Sequence, residues 1–139
     1  MAISQAMCTS FKVQILDGIH NFGTGVVRAS TAADTFKIAL YTSSATLDAT
    51  TTAYTTSGET TGTGYTAGGK TLTISQVPTY DAASDTAYVS FSNVTWTSAS
   101  FTARCALIYN STTGAAVAVL DFGSDKTNTA AGTFTIAFP

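Results

Sequence analysis

The sequence predicts a mainly β fold, an antiparallel β-sandwich or jelly-roll-like barrel with one N-terminal α-helix. Three observations carry that expectation. Roughly a fifth of the residues are threonine, whose branched side chain favours pleated, half-buried surfaces. Beyond residue 20, apolar positions recur with a period of two rather than that of a helix. Polar clusters separate these runs, and the intervals are too short for the crossover helices that a parallel sheet requires. At 139 residues the chain has the size of one domain, residues 1–139.

The helix is expected over about residues 4–17. Ile3, Met7, Phe11, Ile15 and Ile19 recur at i+4, and Cys8 and Leu16 widen the stripe. Ser4 suits the N-cap, and Gly18 the left-handed position after the last turn. Gln5, Lys12, Gln14 and Asp17 form its polar face. The strands follow in order. Thr35–Tyr41 sets Phe36, Ile38 and Leu40 on one face; Thr71–Val77 does the same with Leu72, Ile74 and Val77. Tyr88–Phe91 and Val94–Trp96 are short runs, and Phe101–Tyr109 is the longest, with Phe101, Ala103, Cys105, Leu107 and Tyr109 on one face. Ala115–Phe122 and Thr133–Phe138 complete the set, the latter carrying Phe134, Ile136 and Phe138. Turn clusters lie at Asp81–Asp85, Asn110–Gly114 and Gly123–Asn128. Phe36, Ile38, Leu40, Leu107, Phe134 and Ile136 are the expected core.

Charged residues make up only 10% of the chain against about 25% in an average protein, yet hydrophobic residues reach 45%, which excludes a disordered composition. With a net charge of −2 and no Lys/Arg cluster, direct nucleic-acid binding lacks the basic patch it needs. No apolar run approaches the length of a membrane span, and Met1–Met7 has neither a basic nor an apolar export signature. Cys8 and Cys105 are accordingly expected as buried thiols rather than a disulfide.

Between Thr42 and Thr71 lies a long Thr/Ser/Gly-rich segment, expected to be an arm ordered mainly by neighbouring subunits. It ends in Gly64-Tyr-Thr-Ala-Gly-Gly69-Lys70-Thr71, which satisfies the phosphate-loop pattern G-x-x-x-x-G-K-[ST]. Ala116–Asp121, an apolar run ending in Asp, has the form of the Mg²⁺-holding strand of such enzymes. A working phosphate loop follows a buried strand and opens a helix whose amides face the phosphates. Here Ser57–Thr63 is polar, and Leu72–Pro78 alternates like a strand. The overlapping Gly62–Ala67, which has the spacing of a dinucleotide fingerprint, fails on the same grounds.

Other chemistry is thin. His20 is the only histidine, expected at the surface or capping helix carbonyls, and about 18 Å from Cys8 if both lie on one helix. One His and two scattered Cys make no metal centre. The acidic residues Asp17, Asp34, Asp48, Glu59, Asp81, Asp85, Asp121 and Asp125 fall mostly in turns, without the spacing of a Ca²⁺ loop. No catalytic, cofactor-binding or metal residue is therefore assigned, and a non-enzymatic protein is expected.

Several stretches carry a resemblance. Ala6-Met-Cys-Thr-Ser-Phe-Lys12, Leu16-Asp-Gly-Ile-His20, Thr35–Tyr41 with Thr-Ser-Ser-Ala after it, and Ala53–Glu59 running on through Gly62–Gly69 are similar to small virion structural proteins of tailed bacteriophages. The resemblance covers the first half of the chain best. It implies a capsid decoration (cement) protein that stabilises the head by bridging capsid subunits, with a phage tail or fibre component as the alternative. Its implied partners are the major capsid protein or other virion proteins and copies of itself, in a particle assembled from parts folded in the host cytoplasm. A P-loop nucleotide-binding protein is the distant third reading, resting on Gly64–Thr71 and Asp121.

Overall fold

The computed structural model of the chain describes residues 3–16, 19–23, 33–81, 83 and 86–139. The expected mainly β, antiparallel fold is present. Ala6–Met7 forms β1, Thr9–Leu16 α1, Phe36–Tyr41 β2, Lys70–Thr71 β3, Ile74–Asp81 β4, Thr86–Phe91 β5, Val94–Asn110 β6 and Ala116–Ile136 β7. One five-stranded sheet runs in the order β1-β7-β6-β2-β3, and β4 and β5 make a separate two-stranded sheet.

Alternation explains the centre of the large sheet. In β2, Phe36, Ile38 and Leu40 lie opposite Asn110, Ile108 and Ala106 of β6, while Ala39 and Tyr41 lie opposite Leu107 and Cys105. All of these residues are buried, so both faces of the β2–β6 pair are covered. On one face Phe22 stacks on Phe36 at 4.5 Å, and Phe91 of β5 reaches the same ring at 6.0 Å. That face belongs to α1, residues 19–23 and the β4–β5 hairpin. The other face is covered by the segment between β2 and β3: the Tyr54 ring stacks on Tyr109 at 4.7 Å, and the Tyr41 hydroxyl donates to the Thr55 carbonyl at 2.7 Å.

Of the expected core residues, Phe36, Ile38, Leu40, Leu107 and Phe134 are buried, and Ile136 is half-buried against them. Trp96 joins them at 1% exposure. By strict alternation Trp96 would face away from Phe101. The register slips between Trp96 and Ala99, where Ser98 has a φ of 49°, and the slip returns Trp96 to the face of Phe101, Phe134 and Tyr65.

Several expected boundaries are corrected. The helix begins at Thr9, not near Ser4, because Ala6 and Met7 pair with Val119 and Ala118 of β7 and the Cys8 amide donates to the Val117 carbonyl. Ser4 is no cap; its own amide donates to Leu47. The i+4 stripe is therefore split between a strand and a two-turn helix: Phe11 is buried, whereas Met7, Ile15 and Ile19 are exposed. Asp17, Gly18 and Asp85 lie outside the described residues. Val94–Trp96 and Phe101–Tyr109 fall in one strand, β6, and Ala116–Phe122 and Thr133–Ile136 in another, β7, with Ala115 and Phe138 outside it. The apparent turn Gly123–Asn128 is a bulged stretch of β7, in which four residues, 122–125, oppose Arg104 alone. Gly123 adopts a φ of 75° there. A second bulge precedes Gly132, with Ala130 and Ala131 at φ 55° and 59°.

Candidate functional site

The phosphate-loop letters come first. Lys70 and Thr71 form β3 and pair with Ile38 and Lys37, so no helix N-terminus faces Gly64–Gly69. The Lys70 ammonium donates to the Thr95 carbonyl at 2.6 Å and sits 5.8 Å over the Trp96 ring, where a cation–π contact holds it. Asp121 lies opposite Cys105, ten residues along β6 from Thr95, or roughly 30 Å of strand. Its carboxylate accepts from Arg104 Nε at 3.0 Å and from the Gly123 amide at 2.9 Å. The Arg104 hydrogen bond, helped by that amide, holds the Asp121 carboxyl below the usual carboxylate range. The two halves of the presumed nucleotide site are thus apart and separately engaged.

Nor is Thr42–Thr71 an arm waiting for a neighbour. Its second half is laid along the edge of β2 and then of β6. The Leu72 amide donates to the Phe36 carbonyl, the Thr60 amide to Leu40 and the Thr42 amide to Gly58, while the Ser100 amide donates to Thr63. The Thr60 hydroxyl adds a bond to the Thr102 carbonyl at 2.9 Å. At the centre is Glu59, the only glutamate in the chain. Tyr54 Oη donates to its Oε2 at 2.6 Å, and Tyr65 Oη and the Gly68 amide donate to its Oε1 at 2.6 and 2.7 Å. Tyr65 Oη accepts in turn from the Leu40 amide at 2.9 Å, and Tyr109 Oη donates to the Gly68 carbonyl at 2.8 Å. Composition suggested flexibility because it is blind to these side-chain bonds. Burial, with the Glu59 charge added to it, raises the phenol pKa of Tyr41, Tyr54, Tyr65 and Tyr109.

His20 does not project alone from the surface; it is half-buried. Its Nε2 bonds Gln14 Oε1 at 2.8 Å and its Nδ1 bonds Asn110 Nδ2 at 3.2 Å. Asn110, fully buried, also donates to Asp34 Oδ2 at 2.8 Å and accepts from the Thr112 amide at 2.9 Å. This cluster ties residues 19–21 to the end of β6. Among the described residues no group of His, Cys, Asp and Glu is placed to hold a metal ion. Cys8 and Cys105 are free and buried; burial raises the thiol pKa of both, that of Cys105 to about 12, so neither carries nucleophilic thiolate near neutral pH.

What the molecule does present is apolar surface, and none of its exposed large hydrophobic side chains comes from residues 42–71. A groove of 690 Å³ opens between β5, α1 and strands β6 and β7, walled by Phe11, Phe22, Phe91, Ile108, Leu120 and Phe138. The exposed large hydrophobics among the described residues are Met7 and Tyr88, which line that groove, and Ile15 of α1, Ile19 of residues 19–23 and Val77 of β4. Periodicity alone did not foretell this surface: it assigned Met7, Ile15 and Ile19 to a buried helical stripe. Among the described residues, no helix is long and apolar enough to cross a membrane. No protein-family model matches the chain, and neither a curated protein nor a solved structure matches it.

Proposed function

We propose that this chain is a non-enzymatic structural protein of a phage virion, a capsid decoration protein that binds the head shell and bridges its subunits. The observation that carries the reading is the open apolar groove beside the exposed Met7 and Tyr88. An open apolar groove of this kind marks sites where proteins meet. The opposite layer is closed by internal hydrogen bonds around Glu59, which suits a domain that attaches by one side. The sequence resemblance to virion proteins supplies the partner class. Lys70 and Asp121, which the phosphate-loop reading would have used, are engaged in holding the fold.

Purified particles of the phage that encodes the chain test the proposal. Mass spectrometry should find the protein in stoichiometric amounts, and cryo-EM should place its β density on the head with the groove layer against capsid protein. Density confined to the tail would favour the tail-component reading instead. Particles that lack the protein altogether would refute both.

A further inference from the structure

The two edges of the large sheet are treated differently. On the β2 side, residues 58–72 cover the main chain with the bonds given above. On the other side the ladder between β1 and β7 ends at Val119. From Leu120 to Ile136, β7 pairs with β6 on one side and with no strand on the other among the described residues. Extra residues of β7 bulge from this edge at 122–125 and 129–131; in Gly132–Ile136 β7 has none, the register slip beside Thr133 being taken up by Thr97 and Ser98 of β6. Natural edges are commonly blunted by charge or proline. Here no charged residue occurs from Thr127 to the last residue, and Pro139 lies beyond the strand. Alongside runs a second apolar groove, of 500 Å³, bordered by Phe122, Phe134 and Ile136, with Lys126 at its rim.

We infer that this edge is an interface between two copies of the chain, joined antiparallel through Gly132–Ile136 about a two-fold axis at Phe134. The inference deepens the assembly reading above and rests on it for its biological setting. The stretch is self-complementary in that register. An isologous pairing centred on Phe134 sets Thr133 of one copy against Thr135 of the other, and Thr135 against Thr133. The chain already uses this pairing internally: Thr95 and Thr135 share a hydrogen bond of 2.9 Å between β6 and β7. On the opposite face Phe134 meets its own counterpart, and Ile136 meets Gly132, the one position in the stretch with no side chain to oppose it. Main-chain bonds supply affinity, and the apolar face beside the groove supplies register.

Analytical ultracentrifugation of the full chain from 1 to 100 μM tests this. The unmodified protein should be a dimer at the upper concentrations. Thr133→Lys/Thr135→Lys places like charges opposite each other across the axis and should weaken association at least tenfold. Both threonines are exposed, so the melting temperature of the monomer should stay within a few degrees. Thr133→Lys/Thr135→Glu restores opposite charges in this register alone and should recover the dimer. A monomer at 100 μM, a dimer indifferent to the paired lysines, or no recovery with Lys/Glu would each overturn the inference. A monomeric protein that still decorates particles would do so while leaving the proposed function standing.

Discussion

Removing the Glu59 carboxylate should unlatch the segment that seals the β2 edge. Three donors converge on it within 2.6–2.7 Å: the Tyr54 and Tyr65 hydroxyls and the Gly68 amide. A hydrogen bond to a charged group contributes about 1.5–3 kcal/mol, and a buried donor left unmatched costs about 1–3 kcal/mol. Glu59 is half-buried, so water can recover part of what Glu59→Ala removes. Discounting the three bonds accordingly gives a loss of about 3–4 kcal/mol. For a chain of this size that is a fall of about 10–15 °C in melting temperature. Glu59→Gln keeps the shape and one acceptor, and its amide can donate to a rotated tyrosine hydroxyl, so it should cost only about 1–2 kcal/mol. Urea unfolding gives the free energies, and hydrogen exchange gives the location. In Glu59→Ala the Leu40, Thr60 and Gly68 amides should exchange faster than the β6–β7 ladder. A loss below about 1 kcal/mol, or uniform acceleration of exchange, would refute the latch.

Further outcomes follow from the burial of the same tyrosines and of both cysteines. Burial and the Glu59 charge raise the pKa values of Tyr41, Tyr54, Tyr65 and Tyr109, and the first three should stay protonated at about pH 11 in the folded protein, as read by ultraviolet phenolate absorbance. Because the folded values lie above the unfolded one, their contribution is complete below about pH 10 and is lost as pH rises beyond it; a stability flat through that range would contradict the assignment. Cys8 and Cys105 should react with iodoacetamide at about pH 8 at least a hundredfold more slowly in the folded protein than in urea. Ala130→Gly and Ala131→Gly should each stabilise by about 0.5–1 kcal/mol, since both residues hold positive φ without glycine's freedom; destabilisation by either would deny the bulge geometry.

Much of the fold was legible because alternation records which residues share a face, although both faces of the β2–β6 pair are buried. Phe36-x-Ile38-x-Leu40 and Phe101–Tyr109 name their faces without help from elsewhere. The N-terminal stripe misled because i+4 spacing is compatible with several structures, and the pairing of Ala6–Met7 with β7 is a long-range contact that no local pattern carries. The run Gly123–Asn128 has turn composition, but a bulge draws on the same residues as a turn, and only register tells them apart. The apolar groove was illegible for a related reason. Phe22, Phe91, Leu120 and Phe138 are far apart in sequence and meet only when the hairpin folds over the sheet.

The phosphate-loop letters show how one residue pattern serves different physics, and Gly69 allows the difference to be measured. In a nucleotide-binding loop, glycines let amides approach phosphate. Here Gly69 has a φ of 71°, and a β-carbon on it would collide with the Ile38 carbonyl and lie 2.7 Å from Ala39 Cα. Both neighbours are main chain of β2 and cannot swing aside. Gly123 has nearly the same backbone conformation, φ 75°, but a β-carbon there meets nothing within 4 Å. Gly123→Ala should therefore cost only the left-handed strain, about 1–2 kcal/mol. Gly69→Ala adds a clash with an immovable strand and should cost about 2–3 kcal/mol more, in the range of an overpacked core. Urea titration of the two variants in parallel isolates the packing contribution. Equal losses would mean that Gly69 is required for its φ alone and that β3 does not press against β2. A larger loss at Gly69 would trace its requirement to the close approach of two strands.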